Sequence, residues 1–224
     1  MTPFLLTADT GPLKDPGLYD ALYQKVAPWR RQKIEGLARR EDRVLSLGAG
    51  LLLGHALTLE EADPHQTPQY GEHGKPYYPG LPSLHFSLSH CPGRVLCLLA
   101  DREAGCDVES INRGDIRVAA RYFAPEEYAC ILEAPDEAAR LRMFCRFWTL
   151  KESLMKCTGL GFALIPSSFE IKLGEPILWN GLTYDAYEYD LGGHHCACCL
   201  KREGETPGKP PSLRQVQFGE KPFC

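Results

Sequence analysis

The chain predicts an α+β fold made of two similar halves, each a small antiparallel sheet packed with helices. Three observations carry this expectation. The order of elements, strand then helices then strands, is written twice. The 224 residues divide at a seam near 101–105 into pieces of about 110 residues, an ordinary subdomain size. A composition of 44% hydrophobic and 24% charged residues supports a packed core and excludes wholesale disorder. The expected divisions are 1–103 for the first half, 104–202 for the second and 203–224 for a tail.

Residues 3–8 read as a short strand. Leu18–Trp29 and Ile34–Leu59 read as helices, the second carrying Leu37, Val44, Leu47, Leu51 and Leu52 near helical spacing. Pro64 to Pro82, rich in Pro, Gly and His, reads as loop. Leu84–Leu88 and Val95–Ala100 read as two strands joined by the turn Cys91-Pro92-Gly93, and Gly105–Glu109 as a further strand. Pro125-Glu126-Glu127 opens a helix, with Pro in the first turn and acids at the positive end of the dipole. Asp136 caps the next helix, which runs to about Thr158 and stops at Gly159. Phe169–Leu173, Ile177–Trp179, Thr183–Tyr189 and His195–Leu200 read as strands. From Glu203 the chain reads as loop with a loosely attached end.

Composition narrows the function classes. A net charge of −4 and a pI near 6.0 argue against nucleic acid as a partner. No run of apolar residues is long enough to span a membrane. The first fifteen residues lack a basic n-region and a long apolar run, so no signal peptide is expected. The ten cysteines sit mostly in apolar runs and form no C-x-x-C pair, which fits reduced thiols in a cytoplasmic protein.

Asp107 and Glu109 lie two apart in a strand, so both carboxylates share a face. Trp148, Glu152 and Lys156 are spaced i, i+4, i+8 along one helical stripe. If that helix crosses the strand, three carboxylates converge, and burying them unpaired is costly. A hard cation such as Mg²⁺ relieves that cost and completes its shell with water and substrate phosphates. On spacing alone, Asp-x-Glu in a strand is more often a solvated polar face, and Lys156 a surface partner of Glu152.

The local sequence goes further. Trp148-Thr149-Leu150-Lys151-Glu152-Ser153-Leu154-Met155-Lys156 followed by Gly159-Leu160-Gly161 resembles the W-x-x-K-E-[SA]-x-x-K-x-x-G-x-G signature of the 4'-phosphopantetheinyl transferases. Gly105-Cys106-Asp107-Val108-Glu109, Phe86-Ser87-Leu88-Ser89-His90 and Gly74-Lys75-Pro76 resemble three more segments of that family, in the right order. The resemblance is to the monomeric, two-halved surfactin-synthetase-activating type, whose active site lies at the interface of the halves.

Such enzymes transfer the 4'-phosphopantetheine arm of coenzyme A to a serine of an apo acyl or peptidyl carrier protein, releasing adenosine 3',5'-bisphosphate. The resemblance implies a CoA-binding first half and a second half carrying the metal and catalytic motifs. It implies that Asp107, Glu109 and Glu152 hold Mg²⁺, or Mn²⁺, against the CoA diphosphate, and that Lys156 sits on the same phosphates. Glu152 or a water on the metal would take the serine proton. Ser89 and His90 would touch CoA phosphates, with His90 among the catalytic groups. Lys75 and Pro76 would line the adenine and 3'-phosphate end, Lys151 would be a second phosphate contact or a surface residue, and Trp148 would pack under the site. Carrier contacts would come from the segment Ile111–Ala134.

Two departures from the pattern stand out. Leu45, before Ser46, replaces an arginine that reaches the 3'-phosphate, so Arg40 or Arg43 is expected to supply that charge. Cys106 stands where Ile or Val is usual, tolerable if buried and oxidisable if beside the metal. Arg30-Arg31-x-Lys33 reads either as a site for phosphates or an acidic carrier, or as a solvated helix face. His194-His195-Cys196-x-Cys198-Cys199 has soft-metal ligands, but neighbours along a strand cannot all face one ion. Two other functions compete: a non-catalytic CoA- or carrier-binding protein on this fold, and a Mg²⁺-dependent phosphohydrolase using the same carboxylates.

Overall fold

Strand β1 (Phe4–Asp9) is buried on both faces: Phe4, Leu6 and Ala8 enter one apolar core, and Leu5 another. A strand with two apolar faces lies inside a stack of layers, and that stack organises the whole chain. The computed structural model describes residues 1–221 and 223. In the first half β1 is followed by α1 (Pro16–Tyr23), α2 (Pro28–Glu35) and α3 (Arg40–Leu59). Then come the two-residue strands β2 (Gln69–Tyr70) and β3 (Pro76–Tyr77), and the hairpin β4 (His85–Cys91) and β5 (Arg94–Ala100). The second half holds β6 (Ala104–Ser110), α4 (Ile116–Tyr122), α5 (Pro125–Leu132), α6 (Glu137–Thr158), β7 (Ile177–Trp179), β8 (Leu182–Asp190) and β9 (His194–Lys201). A last strand, β10 (Ser212–Gln215), follows.

The two halves repeat one topology. In the first sheet β5 pairs antiparallel with both β1 and β4, giving the order β1-β5-β4. In the second, β9 pairs antiparallel with both β6 and β8, giving β6-β9-β8, with β7 added outside. In each half the last strand inserts between the first and the middle one. Helix α3 packs on the first sheet and α6 on the second. The opposite faces of the sheets meet through Leu96, Leu98 and Ala100 on one side and Cys106, Val108, Cys196 and Cys198 on the other. The α+β expectation holds.

Several boundaries differ from the sequence reading. The helix expected over Leu18–Trp29 is two helices, because Pro28 starts a new one at a position where its missing N–H costs nothing. Ile34 closes α2 rather than opening α3, and Gly36 to Arg39 turns the chain between them. Phe169–Leu173 is not a strand: the Ile171 N–H donates to the Glu127 carboxylate at 2.6 Å instead of to a ladder. The caps of α6 are as read, with Asp136 accepting from the Ala139 N–H at 2.7 Å and Gly159 left-handed at the end.

The loosely attached tail is also corrected. Strand β10 lies parallel beside β1, from Phe4↔Ser212 to Thr7↔Gln215, and Phe218 and Phe223 enter the first half's core. The Tyr187 and Tyr189 hydroxyls of β8 donate to the Gly208 and Pro211 carbonyls at 2.6 and 2.7 Å. Lys25 donates to the Phe223 carbonyl at 2.6 Å. The segment is therefore a strap tied to both halves. Ending the chain at Arg202 exposes the β1 edge and removes two buried phenylalanines, so the urea-unfolding free energy is expected to fall by about 3–6 kcal/mol.

Candidate active site

Asp107 and Glu109 point at α6 because Gly105, on the same face of β6, lets the helix touch the strand. A Cβ at Gly105 would lie 2.1 Å from the Ser153 carbonyl oxygen and 2.4 Å from the Cys157 nitrogen. That contact brings Glu152 and Lys156 over the two acids. Lys156 Nζ lies 2.6 Å from Asp107 Oδ1 and 3.4 Å from Glu152 Oε2.

The first half reaches the same point through two serines of β4. Ser87 Oγ accepts from the Cys106 N–H at 3.1 Å. Ser89 Oγ accepts from the Val108 N–H at 3.3 Å and from Lys156 at 3.2 Å, and donates to Asp107 Oδ1 at 2.7 Å. Period 2 on both strands makes this a two-rung seam between the halves.

The electrostatics are those of acids crowded out of water. Glu109 is pushed up to about 7, by burial first, then by Asp107 and Glu152, against the opposing pull of Lys156 and a hydrogen bond from Trp148. Glu152 is raised by burial and by Asp107, against Lys156. Burial lowers the Lys156 ammonium, but Asp107 and Glu152 more than reverse this and leave it raised. Asp107 Oδ2 is buried without a hydrogen-bond partner, an orphaned acceptor of the kind a cation satisfies. Among the described residues no three His, Cys, Asp or Glu side chains already form a metal-ligand cluster.

Beside the acids lies a cavity of about 290 Å³ reached by Arg30, Lys33, Lys75, His90 and Lys156, with no carboxylate in its lining. Arg30 is 5% exposed, its guanidinium 4.4 Å from the Trp29 ring centroid and its Nε without a partner. Trp29 in turn donates to the Gln66 carbonyl at 3.0 Å, which ties the loop over 64–82 to α2. His90 is held below its ordinary value by burial and by Lys156, Lys33 and Arg30, against a backbone hydrogen bond. Pro76 and Ser87 also line the cavity.

Four residues stand otherwise than expected. Arg40 donates to the Lys14 carbonyl at 3.1 Å and Arg43 to the Leu37 carbonyl at 2.7 Å, and neither lines this cavity. The cationic charge there comes instead from Arg30 and Lys33, i, i+3 on α2, while Arg31 turns away to the Gln24 carbonyl. Lys151 is neither a surface residue nor a phosphate contact. Its side chain is fully buried on the other side of α6, 2.9 Å from Glu127 and donating to the Pro166 and Phe169 carbonyls at 2.7 and 2.8 Å. Lys75 lines the cavity with its stem, but its ammonium donates to the Cys157 and Ala104 carbonyls, holding the Gly74-Lys75-Pro76 loop on the C-terminus of α6.

The two cysteine questions resolve by strand alternation. Cys106 faces the core between the sheets, away from the acids, where burial pushes its thiol up to about 12. Cys196 and Cys198 share that core, while Cys199 faces α6. His195 also faces α6, its Nδ1 2.8 Å from Thr149 Oγ1 and its Nε2 3.1 Å from Glu188. The nine described cysteines are free thiols; Cys224 lies outside the described residues.

Residues 103–199 match the family model of the 4'-phosphopantetheinyl transferase superfamily. A 4'-phosphopantetheinyl transferase of Bacillus subtilis is 31% identical over 159 residues, 70% of each chain. The 4'-phosphopantetheinyl transferase Sfp of B. subtilis strain 168 is 28% identical over 187 residues, 82% of this chain and 79% of that one. The 4'-phosphopantetheinyl transferase gsp of Aneurinibacillus migulanus is 26% identical over 193 residues, 83% and 80% of the two chains. The doubled topology, the acids on β6 and α6, and these likenesses agree: the chain belongs to the 4'-phosphopantetheinyl transferase superfamily, and within it to the Sfp type.

Proposed function

We propose that this phosphopantetheinyl transferase works in the cleft between its halves, carrying the 4'-phosphopantetheine arm of coenzyme A to a serine of an apo carrier protein. The observation that carries this reading is the junction at Lys156. That one ammonium lines a cationic cavity without carboxylates and lies 2.6 and 3.4 Å from two acids, Asp107 and Glu152. A cavity of that charge suits the phosphates of CoA, and the acids beside it suit a divalent ion shared with them.

In this reading Arg30 and Lys33 bind the nucleotide's 3'-phosphate, and His90 and Lys156 the diphosphate. The carrier serine oxygen attacks the phosphorus bearing the pantetheine, and the bond to the departing adenosine 3',5'-bisphosphate breaks. Glu152 takes the serine proton; a carboxylate raised by burial is a better base near neutral pH. Lys156 neutralises charge on the leaving phosphate. Asp107, with its orphaned oxygen, Glu109 and Glu152 would hold Mg²⁺ or Mn²⁺, which supplies charge neutralisation on the diphosphate when bound. Few protein ligands suffice, because magnesium keeps waters and takes phosphate oxygens.

One chain supplies both walls of the cleft, which supports action as a monomer. The free thiols support a cytoplasmic setting. No helix among the described residues is long and apolar enough to cross a membrane.

The test is the intact mass of apo carrier proteins after incubation with the protein, CoA and Mg²⁺, with and without EDTA. One added phosphopantetheine, lost with EDTA, is the expected result. No addition on any carrier, with CoA binding still detected by calorimetry, would favour a non-catalytic CoA-binding protein. Phosphate release without a carrier would favour a phosphohydrolase.

The acid cluster also predicts a pH effect on the metal-free protein. The folded pKa of Glu109, about 7, lies above the ordinary value of 4.5. The folded state therefore binds more protons across that window, and this residue's contribution to stability falls as pH rises from 4.5 to 7. Melting curves in EDTA should show wild type losing more stability than Glu109→Gln over that range. Added Mg²⁺ should remove the difference by favouring the ionised carboxylate.

A further inference from the structure

The stem of Arg30 crosses helix α3 at a point where that helix has no side chain. A Cβ at Gly50 would lie 2.7 Å from Arg30 Cγ, 3.2 Å from its Cδ and 3.3 Å from its Nε. Glycine is the poorest helix former after proline, so its place inside a helix of 20 residues calls for a local reason. Gly54, one turn further on, gives the contrast: a Cβ there would meet Pro64 Cβ at an ordinary 3.7 Å. The guanidinium end of Arg30 lies on the Trp29 ring, and the Gln66 carbonyl holds that ring through its indole N–H. Stem and head are held separately, the stem by bare helix backbone and the head by the indole.

We infer that Gly50 is a positioning residue: its missing side chain lets α3 aim Arg30 into the nucleotide cavity, and so sets the preference for a coenzyme with a 3'-phosphate over one without. The inference rests on the transferase reading above, in which Arg30 binds that phosphate, and adds the residue that aims it. Arg30 is buried, makes no ion pair among the described residues, and leaves its Nε without a partner. A guanidinium kept from water without a counter-charge is costly unless a ligand brings one.

Placement matters for this cation more than for its neighbours. A long side chain frozen before the ligand arrives spares binding the cost of ordering it. Arginine binds phosphate through a planar fork, whereas Lys33, which lines the same cavity, is a point charge that tolerates small shifts. A methyl group at Gly50 meets Arg30 near the root of its side chain, at Cγ, where turning the far end gives no relief. Arg30 must leave its rotamer, and the fork loses its aim. His90 and Lys156 stand on other elements, so the loss falls on the 3'-phosphate contact and spares the diphosphate.

The experiment uses the full chain and two coenzymes, CoA and 3'-dephospho-CoA. Each is measured by calorimetry in EDTA and as co-substrate in steady-state transfer with Mg²⁺. The proteins are wild type, Gly50→Ala, the control Gly54→Ala, and Arg30→Ala with and without Gly50→Ala. Gly50→Ala is expected to weaken CoA about tenfold, the scale of one hydrogen bond to a charged group, and to leave dephospho-CoA unchanged. The KM for CoA should rise by the same factor, with kcat and the carrier KM kept. Gly54→Ala should keep wild-type values. In the Arg30→Ala background Gly50→Ala should cost nothing more, because the two changes remove one contact. Trp29→Leu loosens the guanidinium end instead of displacing the stem. It should narrow the ratio of the two coenzymes in the same way, which keeps the test decisive should Gly50→Ala not fold.

An unchanged ratio of the two coenzymes in folded Gly50→Ala overturns the role of Gly50 and leaves the transferase reading standing. Equal weakening of both also overturns it, since the glycine then shapes the cavity and does not aim Arg30. A wild type that binds the two coenzymes equally overturns the aim of Arg30 together with its place on the 3'-phosphate. A ratio that narrows as expected, in a protein that transfers nothing to any carrier, supports the role of Gly50 and overturns the transferase reading.

Discussion

Glu152→Gln is expected to lower the rate of transfer by about 10²–10⁴-fold while leaving CoA binding measurable. The side chain keeps its size and its place on α6, so the fold should be untouched. What disappears is a carboxylate that burial and Asp107 hold above its ordinary range and that Lys156 approaches to 3.4 Å. In the proposed mechanism this removes the proton acceptor for the serine and one oxygen ligand of the divalent ion together. The CoA contacts of Arg30, Lys33 and His90 remain, so calorimetry should return an affinity close to wild type in EDTA. Single-turnover transfer with saturating carrier separates chemistry from docking. Wild-type turnover in this variant would sink both the base and the metal assignment. A loss of CoA affinity in EDTA equal to the loss of rate would show that Glu152 organises the cavity instead.

The acids, the lysine and their carrying elements were legible because each rests on a local period. Asp107 and Glu109 share a face at period 2, Trp148, Glu152 and Lys156 share a stripe at period 4, and α6 announces both its ends. What brings the strand and helix together was also visible, as Gly105, but its reason is tertiary: the carbonyl of Ser153 occupies the space of a Cβ. The cationic cavity was harder to read. Arg30 and Lys33 are i, i+3 and share a face only once Pro28 is seen to start a helix. Arg40 and Arg43 share a helix with Leu45, and their guanidiniums are spent on carbonyls that no spacing rule predicts. Strand β10 was missed because four exposed residues after a Pro-rich run carry no apolar alternation. Its place is set by the free edge of β1, more than 200 residues earlier.

Lys151 makes the sharpest contrast, since the signature that marks α6 invites a phosphate role for it and the structure gives it a buried partner. Glu127 and Lys151 form a closed set: Glu127 accepts from the Ala124 and Ile171 N–H groups at 2.8 and 2.6 Å. Lys151 fills the remaining carbonyls of Pro166 and Phe169 and lies 4.3 Å from the Phe169 ring centroid. The pair pins α5 and the 166–171 segment to the helix that carries Glu152 and Lys156. Lys151→Met leaves a buried carboxylate without its counter-ion, and a loss of about 3–5 kcal/mol in urea unfolding is expected. Adding Glu127→Gln removes that stranded charge, so the double variant should be more stable than Lys151→Met alone and less stable than wild type, because the Pro166 and Phe169 carbonyls stay underpaired. At low temperature, where Lys151→Met is still folded, its KM for CoA should match wild type. A raised KM with normal stability would return Lys151 to the phosphates. Stability and substrate affinity that both match wild type would deny it either role.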